Sequence, residues 1–168
     1  KNISKQYANR EPRFYASVSY NGSVWYRNSE VYTTPQPLTS KQCWYYRDNV
    51  NGKKAGTSSW PLTGIGFKKY VHPQDSNLGS KILDKAEPAI RYADILLCYA
   101  EAINELDGSY SVPSWDGKQT YTVSRSITEL ERGIHPVRIR AGLPDFADEV
   151  YGDKALFREK LKRERQIE

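Results

Sequence analysis

The side chains with the clearest chemical potential in this sequence are flat and aromatic. Thirteen of its twenty-one Phe, Trp and Tyr residues fall within the first seventy of 168 positions, in segments dominated by Asn, Ser, Thr, Gly and Pro. Trp25, Tyr26, Trp44, Tyr45, Tyr46 and Trp60 are the candidate ligand contacts, with Asn28, Asn49, Asn51 and Arg47 as polar neighbours. An aromatic ring offers an apolar face, and amides and hydroxyls add directional hydrogen bonds. Together they suit a ligand with apolar C–H faces and a polar rim, as a sugar ring has. The competing reading for each ring is a small satellite core beneath long loops. Trp44 and Trp60 lead the set because both sit among turn residues, and Trp115 in a later loop is a secondary candidate.

Catalytic constellations are missing by contrast. The sequence has no GxSxG, no HExxH and no glycine-rich phosphate loop. His72 with Asp75 could form a general base, but a His-Pro turn explains His72 equally well. Glycoside cleavage needs two carboxylates across a cleft, whereas Asp48, Asp75, Asp84 and Glu87 are scattered along the chain. Cys43 and Cys98 form no CxxC and have no histidines at metal-ligand spacing, so neither a metal nor another cofactor is expected. Cys98 is expected to be a small buried hydrophobe, and a disulfide to Cys43 stays open. The net charge of +5 is concentrated near the C-terminus. Arg158, Lys160, Lys162, Arg163 and Arg165 alternate there with Glu159 and Glu164, as on a solvated helix face. Without a basic stripe among the aromatics, nucleic acid is not an expected partner.

The element that must organise these loops is Ile90–Leu106, IRYADILLCYAEAINEL, seventeen residues free of glycine and proline. Its composition predicts a helix, apolar around most of its circumference and therefore buried between neighbours, started by Pro88 and stopped by Gly108. Upstream, RFYASVSY alternates like a strand, and Asn21-Gly22 predicts a hairpin over 13–27. Residues 28–61 read as a long loop. Residues 64–71 read as a short strand with Phe67 or Tyr70 facing inward, and 107–124 as a second loop. Ser126-x-x-Glu129 predicts a capping box opening a helix that ends at Gly142. Gly133 and Pro136 within it predict a kink or break near Ile134. Arg138 and Arg140 are expected to pair with carboxylates on adjoining helices. Asp153 is expected to cap a last helix from Lys154. The sum is an α+β, mainly helical chain in which residues 1–86 are loop- and hairpin-rich and 87–168 helical.

Four segments in order resemble the SusD/RagB family of bacterial cell-surface nutrient-binding lipoproteins. They are NREPRFYASVSYNGSVWY (9–26), TGIGFKKYVHP (63–73), EPAIRYADILLCYAEAINEL (87–106) and HPVRIRAGLP (135–144). The closing RERQIE (163–168) resembles the start of a further family segment. The chain departs from the pattern at Arg165-Gln166, where a second arginine is usual, and at His135, which replaces an asparagine. The resemblance implies a tetratricopeptide-like helical scaffold and ligand capture without catalysis. It also implies hand-over to a SusC-like TonB-dependent transporter, at the outer membrane, from a lipid anchor on a cysteine outside this sequence. Family members are longer, so residues 1–168 are expected to be one C-terminal region cut at both ends. Some members bind polysaccharides and others peptides, and the loop aromatics tilt the expectation to a glycan. The rival from another class is a structural or interaction module whose aromatics are simply core.

Overall fold

The computed structural model describes residues 5–27, 39–49, 51–56, 58, 60–72, 75 and 82–168, with backbone alone for 25–27 and 39–41. The chain is α+β and mainly helical. Two compact units, residues 1–87 and 88–168, are taken in turn.

The second unit is built on helix α2 (Tyr92–Glu105). It starts later than Pro88 suggests. Asp94 Oδ2 accepts the Arg91 N–H at 3.0 Å, which caps the helix at Arg91 and leaves Ile90 outside it. It ends at Leu106, two residues short of Gly108. Leu97, Ala100, Ile103 and Asn104 form its buried face. Burial all round does not hold: Tyr92 is 75% and Ile95 54% exposed. Cys98 is exposed rather than buried, and both cysteines are free thiols. The reason is that helices α3 (Ile127–Arg140) and α5 (Lys154–Ile167) cover one side of α2 only, so apolar residues on the other side remain in contact with solvent.

Strands β5 (Ser109–Pro113) and β6 (Thr120–Ser124) follow, paired antiparallel where a loop is expected from sequence. The alternation Tyr110/Val112 and Tyr121/Val123 around Asp116-Gly117 is the signal for that hairpin. Helix α3 (Ile127–Arg140) opens on Ser126, whose hydroxyl accepts the Glu129 N–H at 3.3 Å. Half of the expected capping box is therefore present, while the Glu129 carboxylate takes the Tyr99 hydroxyl and Arg132. The helix is unbroken across Gly133 and Pro136, so of the kink or break predicted near Ile134 the break does not occur. Leu130, Gly133, Ile134 and Val137 are all buried, and this packing offsets the hydrogen bond that proline removes. Gly133 has its own reason. A Cβ there would lie 2.7 Å from Leu96 O and 2.8 Å from Ala100 Cβ, so glycine is what lets α2 and α3 approach. Gly142, in the left-handed region at φ +72°, ends the helix as predicted.

Helix α4 (Asp148–Gly152) and helix α5 (Lys154–Ile167) complete the unit. Asp153 caps α5 by accepting the N–H groups of Ala155 and Leu156. Tyr151, Phe157 and Leu161 join Leu97, Ala100, Ile103, Leu130, Ile134 and Val137 in one core. Buried Asn104 ties the pieces together: Arg125 Nε donates to its Oδ1 at 3.1 Å, and its Nδ2 donates to Lys154 O at 3.1 Å. Arg138 pairs with Glu164 at 2.8 Å and Arg140 with Glu168, as expected for these arginines. On α5, Lys160, Lys162, Arg163 and Arg165 are exposed, as a solvated face requires, but Arg158 is half-buried and Glu164 is buried against Arg138, so the expected face is not solvated throughout.

In the first unit a single 3₁₀ turn (Lys5–Tyr7) precedes helix α1 (Pro12–Ser17). The hairpin expected over 13–27 is absent. Pro12 at the start of α1 has the φ a helix needs and no N–H to lose. The short helix lets Phe14 and Tyr20 pack with Tyr7, at centroid distances of 6.3 Å and 4.9 Å from it. The Tyr15 hydroxyl donates to Tyr7 O at 2.7 Å. Asn21-Gly22 does form a turn, closed by Ser23 N–H to Tyr20 O at 2.9 Å, but the chains on either side pair elsewhere. Strand β1 (Val18–Ser19) pairs with β4 (Gly66–Phe67), and β2 (Val24–Arg27) with β3 (Thr39–Gln42). All are antiparallel. Phe67 and Tyr70 point outward, at 84% and 64% exposure, and the φ of +66° at Tyr70 shows a turn where a strand is predicted. A two-residue strand at an edge has no second layer to receive those side chains.

Candidate functional site

The aromatic run Trp44-Tyr45-Tyr46 continues the chain beyond β3 in an extended course. The ladder is prolonged by Cys43 N–H to Ser23 O and Gly22 N–H to Cys43 O, both 2.8 Å. Extended backbone sends neighbouring side chains to opposite sides and residues two apart to the same side. Trp44 and Tyr46 accordingly stack on each other, with centroids 6.2 Å apart and ring planes 20° from parallel. The outer end of the Trp44 ring lies over Gly22, where an added Cβ would meet it at 3.7 Å. Tyr45 turns the other way. Its hydroxyl donates to Ser19 Oγ at 2.8 Å and sits against Gly66, where a Cβ would be 2.7 Å away. Burial pushes the Tyr45 phenol up from its ordinary pKa, against the opposing pull of the Ser19 hydrogen bond.

Two asparagines hold the run in place. Asn21 Oδ1 accepts the Tyr45 N–H at 2.6 Å. Asn51 Oδ1 accepts the Trp44 N–H at 3.2 Å, while the Asn51 N–H returns to Trp44 O at 3.1 Å. Between them the chain folds tightly, with Asn49 N–H on Tyr46 O, Gly52 N–H on Asn49 O and Asp48 N–H on Lys53 O. Gly52 is indispensable, since a Cβ would lie 1.9 Å from Tyr46 O. Lys53 then lies over Trp60, its Nζ 4.5 Å from the ring centroid.

Six candidate aromatics thus divide by role. Trp44 and Tyr46 form a stacked pair, Trp44 half-buried and Tyr46 55% exposed. Trp60 is half-buried beneath a lysine, and Tyr45 is a brace. Trp25 and Tyr26 belong to β2, with side chains outside the described residues. Of the polar neighbours, Asn49 and Arg47 are exposed, Asn51 spends its carbonyl inside the loop, and Asn28 lies outside the described residues. Sequence reasoning misses Asn21, Ser19, Gly22 and Gly52. Asn21-Gly22 and Asn51-Gly52 are legible as turns, yet only the fold shows that both asparagines clamp the same segment.

The alternative catalytic pair is engaged structurally. Asp75 accepts Lys85 Nζ at 2.6 Å and the N–H groups of Leu83 and His72 at 3.0 and 3.1 Å. The lysine bond first, then the Leu83 amide, lower its pKa to about 2, far below the range useful to a general base. Among the described residues no group of three or more His, Cys, Asp or Glu is placed to hold a metal ion. No helix among them is long and apolar enough to cross a membrane.

A mainly helical α+β chain with a clamped aromatic loop is the class that fold and geometry define. The SusD family model matches residues 1–168, and the chain belongs to the SusD family. Members of this family are in general nutrient- and glycan-binding proteins associated with the outer membrane, a binding family rather than an enzymatic one. Comparisons with curated proteins and with solved structures gave no match.

Proposed function

We propose that this chain belongs to a cell-surface lipoprotein that captures polysaccharide or oligosaccharide and passes it to a SusC-like TonB-dependent outer-membrane transporter. The single observation carrying the glycan reading is the Trp44–Tyr46 pair, two near-parallel rings on a loop clamped by Asn21 and Asn51. A sugar ring stacks through its C–H face on such a surface, and its hydroxyls reach nearby amide and guanidinium groups. Asn49 and Arg47, both exposed on the same loop, supply those groups. Because the loop is held by hydrogen bonds before ligand arrives, little ordering entropy remains to oppose binding. Trp44, Tyr46 and Trp60 are the proposed contacts, Trp25 and Tyr26 join them as further candidates, and Tyr45 acts as the brace. No catalytic residue and no cofactor enter this reading.

The test is calorimetry on the full-length protein against a panel of polysaccharides, oligosaccharides and peptides. Wild type should bind at least one glycan, with Trp44→Ala and Tyr46→Ala each roughly tenfold weaker. Wild-type affinity in both variants would remove these residues from the site. Binding confined to peptides would replace the ligand class.

A further inference from the structure

The β5–β6 hairpin holds an indole that the fold leaves uncovered. Trp115 at its tip is 99% exposed. That exposure is not the accident of a slack loop. The Ser114 N–H donates to Gln119 O at 2.7 Å, and the Gln119 N–H returns to Ser114 Oγ at 3.0 Å. Asp116 Oδ1 accepts the Ser114 hydroxyl at 2.6 Å and the Lys118 N–H at 3.2 Å. Gly117, at φ +70°, closes the turn by donating to Ser114 O at 3.0 Å. The base of the hairpin is anchored as well, since Val123 packs against the helical core and Arg125 bonds to Asn104 and to Tyr151 O. A fixed scaffold therefore presents one indole to solvent.

The surroundings of that indole select its ligand. Val112 and Tyr121, 45% and 53% exposed, face each other lower on the hairpin, while the tip itself, Ser114 and Asp116 to Gln119, adds only polar groups around the indole. Its one acid and one base, Asp116 and Lys118, stand 3.7 Å apart and cancel, which gives an anionic lipid surface or a phosphate chain nothing to follow. What remains at the tip is one flat platform rimmed by hydrogen-bonding groups that carry no net charge, the complement of a sugar ring. We propose that Trp115 is a separate stacking contact for a sugar ring of a glycan chain. This rests on the glycan reading above and adds a contact in the other compact unit.

The test uses the full-length protein with the glycans of the panel above. N-bromosuccinimide oxidises exposed indoles, and mass spectrometry locates the product. A glycan that wild type binds should protect Trp115 from oxidation, and Trp115→Ala should bind that glycan roughly tenfold more weakly, with an unchanged far-UV circular dichroism spectrum. If Trp115 stays reactive under saturating glycan, or Trp115→Ala binds as wild type while Trp44→Ala is impaired, the Trp115 contact is overturned and the proposed function stands. Protection by neutral phospholipid vesicles but by no glycan would overturn it in favour of a membrane contact. Failure of wild type to bind any glycan would overturn both readings.

Discussion

Replacing Gly133 by alanine sets two opposed effects against each other with a calculable sign. Helix propensity alone favours alanine over glycine by ~1 kcal/mol inside a helix such as α3. The new methyl, however, would lie 2.7 Å from Leu96 O, 2.8 Å from Ala100 Cβ and 3.0 Å from Ala100 N. Two of these three atoms are backbone and cannot rotate away, so α2 and α3 must separate. A gap of ~0.5 Å already forfeits about a quarter of the attraction between facing atoms. That loss falls on Leu97, Leu130, Ile134 and Val137, each at most 1% exposed. Overpacking of a filled core costs about 1–3 kcal/mol, so the net effect is destabilisation by up to about 2 kcal/mol after the propensity gain. Gly152→Ala is the matched control. Nothing lies within 4 Å of its added Cβ, and a gain of about 0.5 kcal/mol is expected. Urea denaturation of the full-length protein, followed by far-UV circular dichroism, reads both. Should Gly133→Ala prove as stable as wild type or more so, the close helix approach is not what holds glycine at this position.

Two further perturbations probe the loop unit. Gly52→Ala drives a methyl into Tyr46 O and breaks the Asn49 to Tyr46 and Gly52 to Asn49 hydrogen bonds, each contributing about 1 kcal/mol. Near-UV circular dichroism of the stacked rings should change and glycan affinity fall at least roughly tenfold, and wild-type values for both would refute the loop geometry. Asp75 titrates at about 2 in the folded chain, below the usual carboxylate range, so the stability it contributes is complete above that range and lost as pH falls through about 2. Asp75→Asn should therefore weaken hydrogen-exchange protection of the Leu83 amide at neutral pH, with the difference from wild type closing in acid; a gap independent of pH would show that the carboxylate charge is not what matters.

The legibility of this chain follows the range of the interactions involved. Ser126 and Asp153 cap their helices, Gly142 ends α3 and Arg138 finds its carboxylate, all as residue type and spacing indicate. The hairpin around Asp116-Gly117 is equally local, and its alternating pattern suffices to find it once the turn is weighed. Position 13–27 fails for the opposite reason. Its alternation suits a strand, but the Tyr7–Phe14–Tyr20 cluster and the pairing of β1 with β4, almost fifty residues away, decide otherwise. The break at Pro136 fails likewise, because one lost hydrogen bond is outweighed by a buried helix face.

For the candidate site, composition and spacing determine that aromatics and amides accumulate in the first seventy residues, and family membership follows from the order of motifs along the whole sequence. They do not separate Tyr45 from its two neighbours. That distinction is tertiary: an extended backbone splits the three rings between two sides, and Ser19 and Gly66 happen to receive only the middle one. The sequence likewise determines that α2 is apolar nearly all round. Only the packing of α3 and α5 decides which part of that surface is core and which stays in water, because burial depends on what lies opposite and a helix's own residues cannot specify their neighbours.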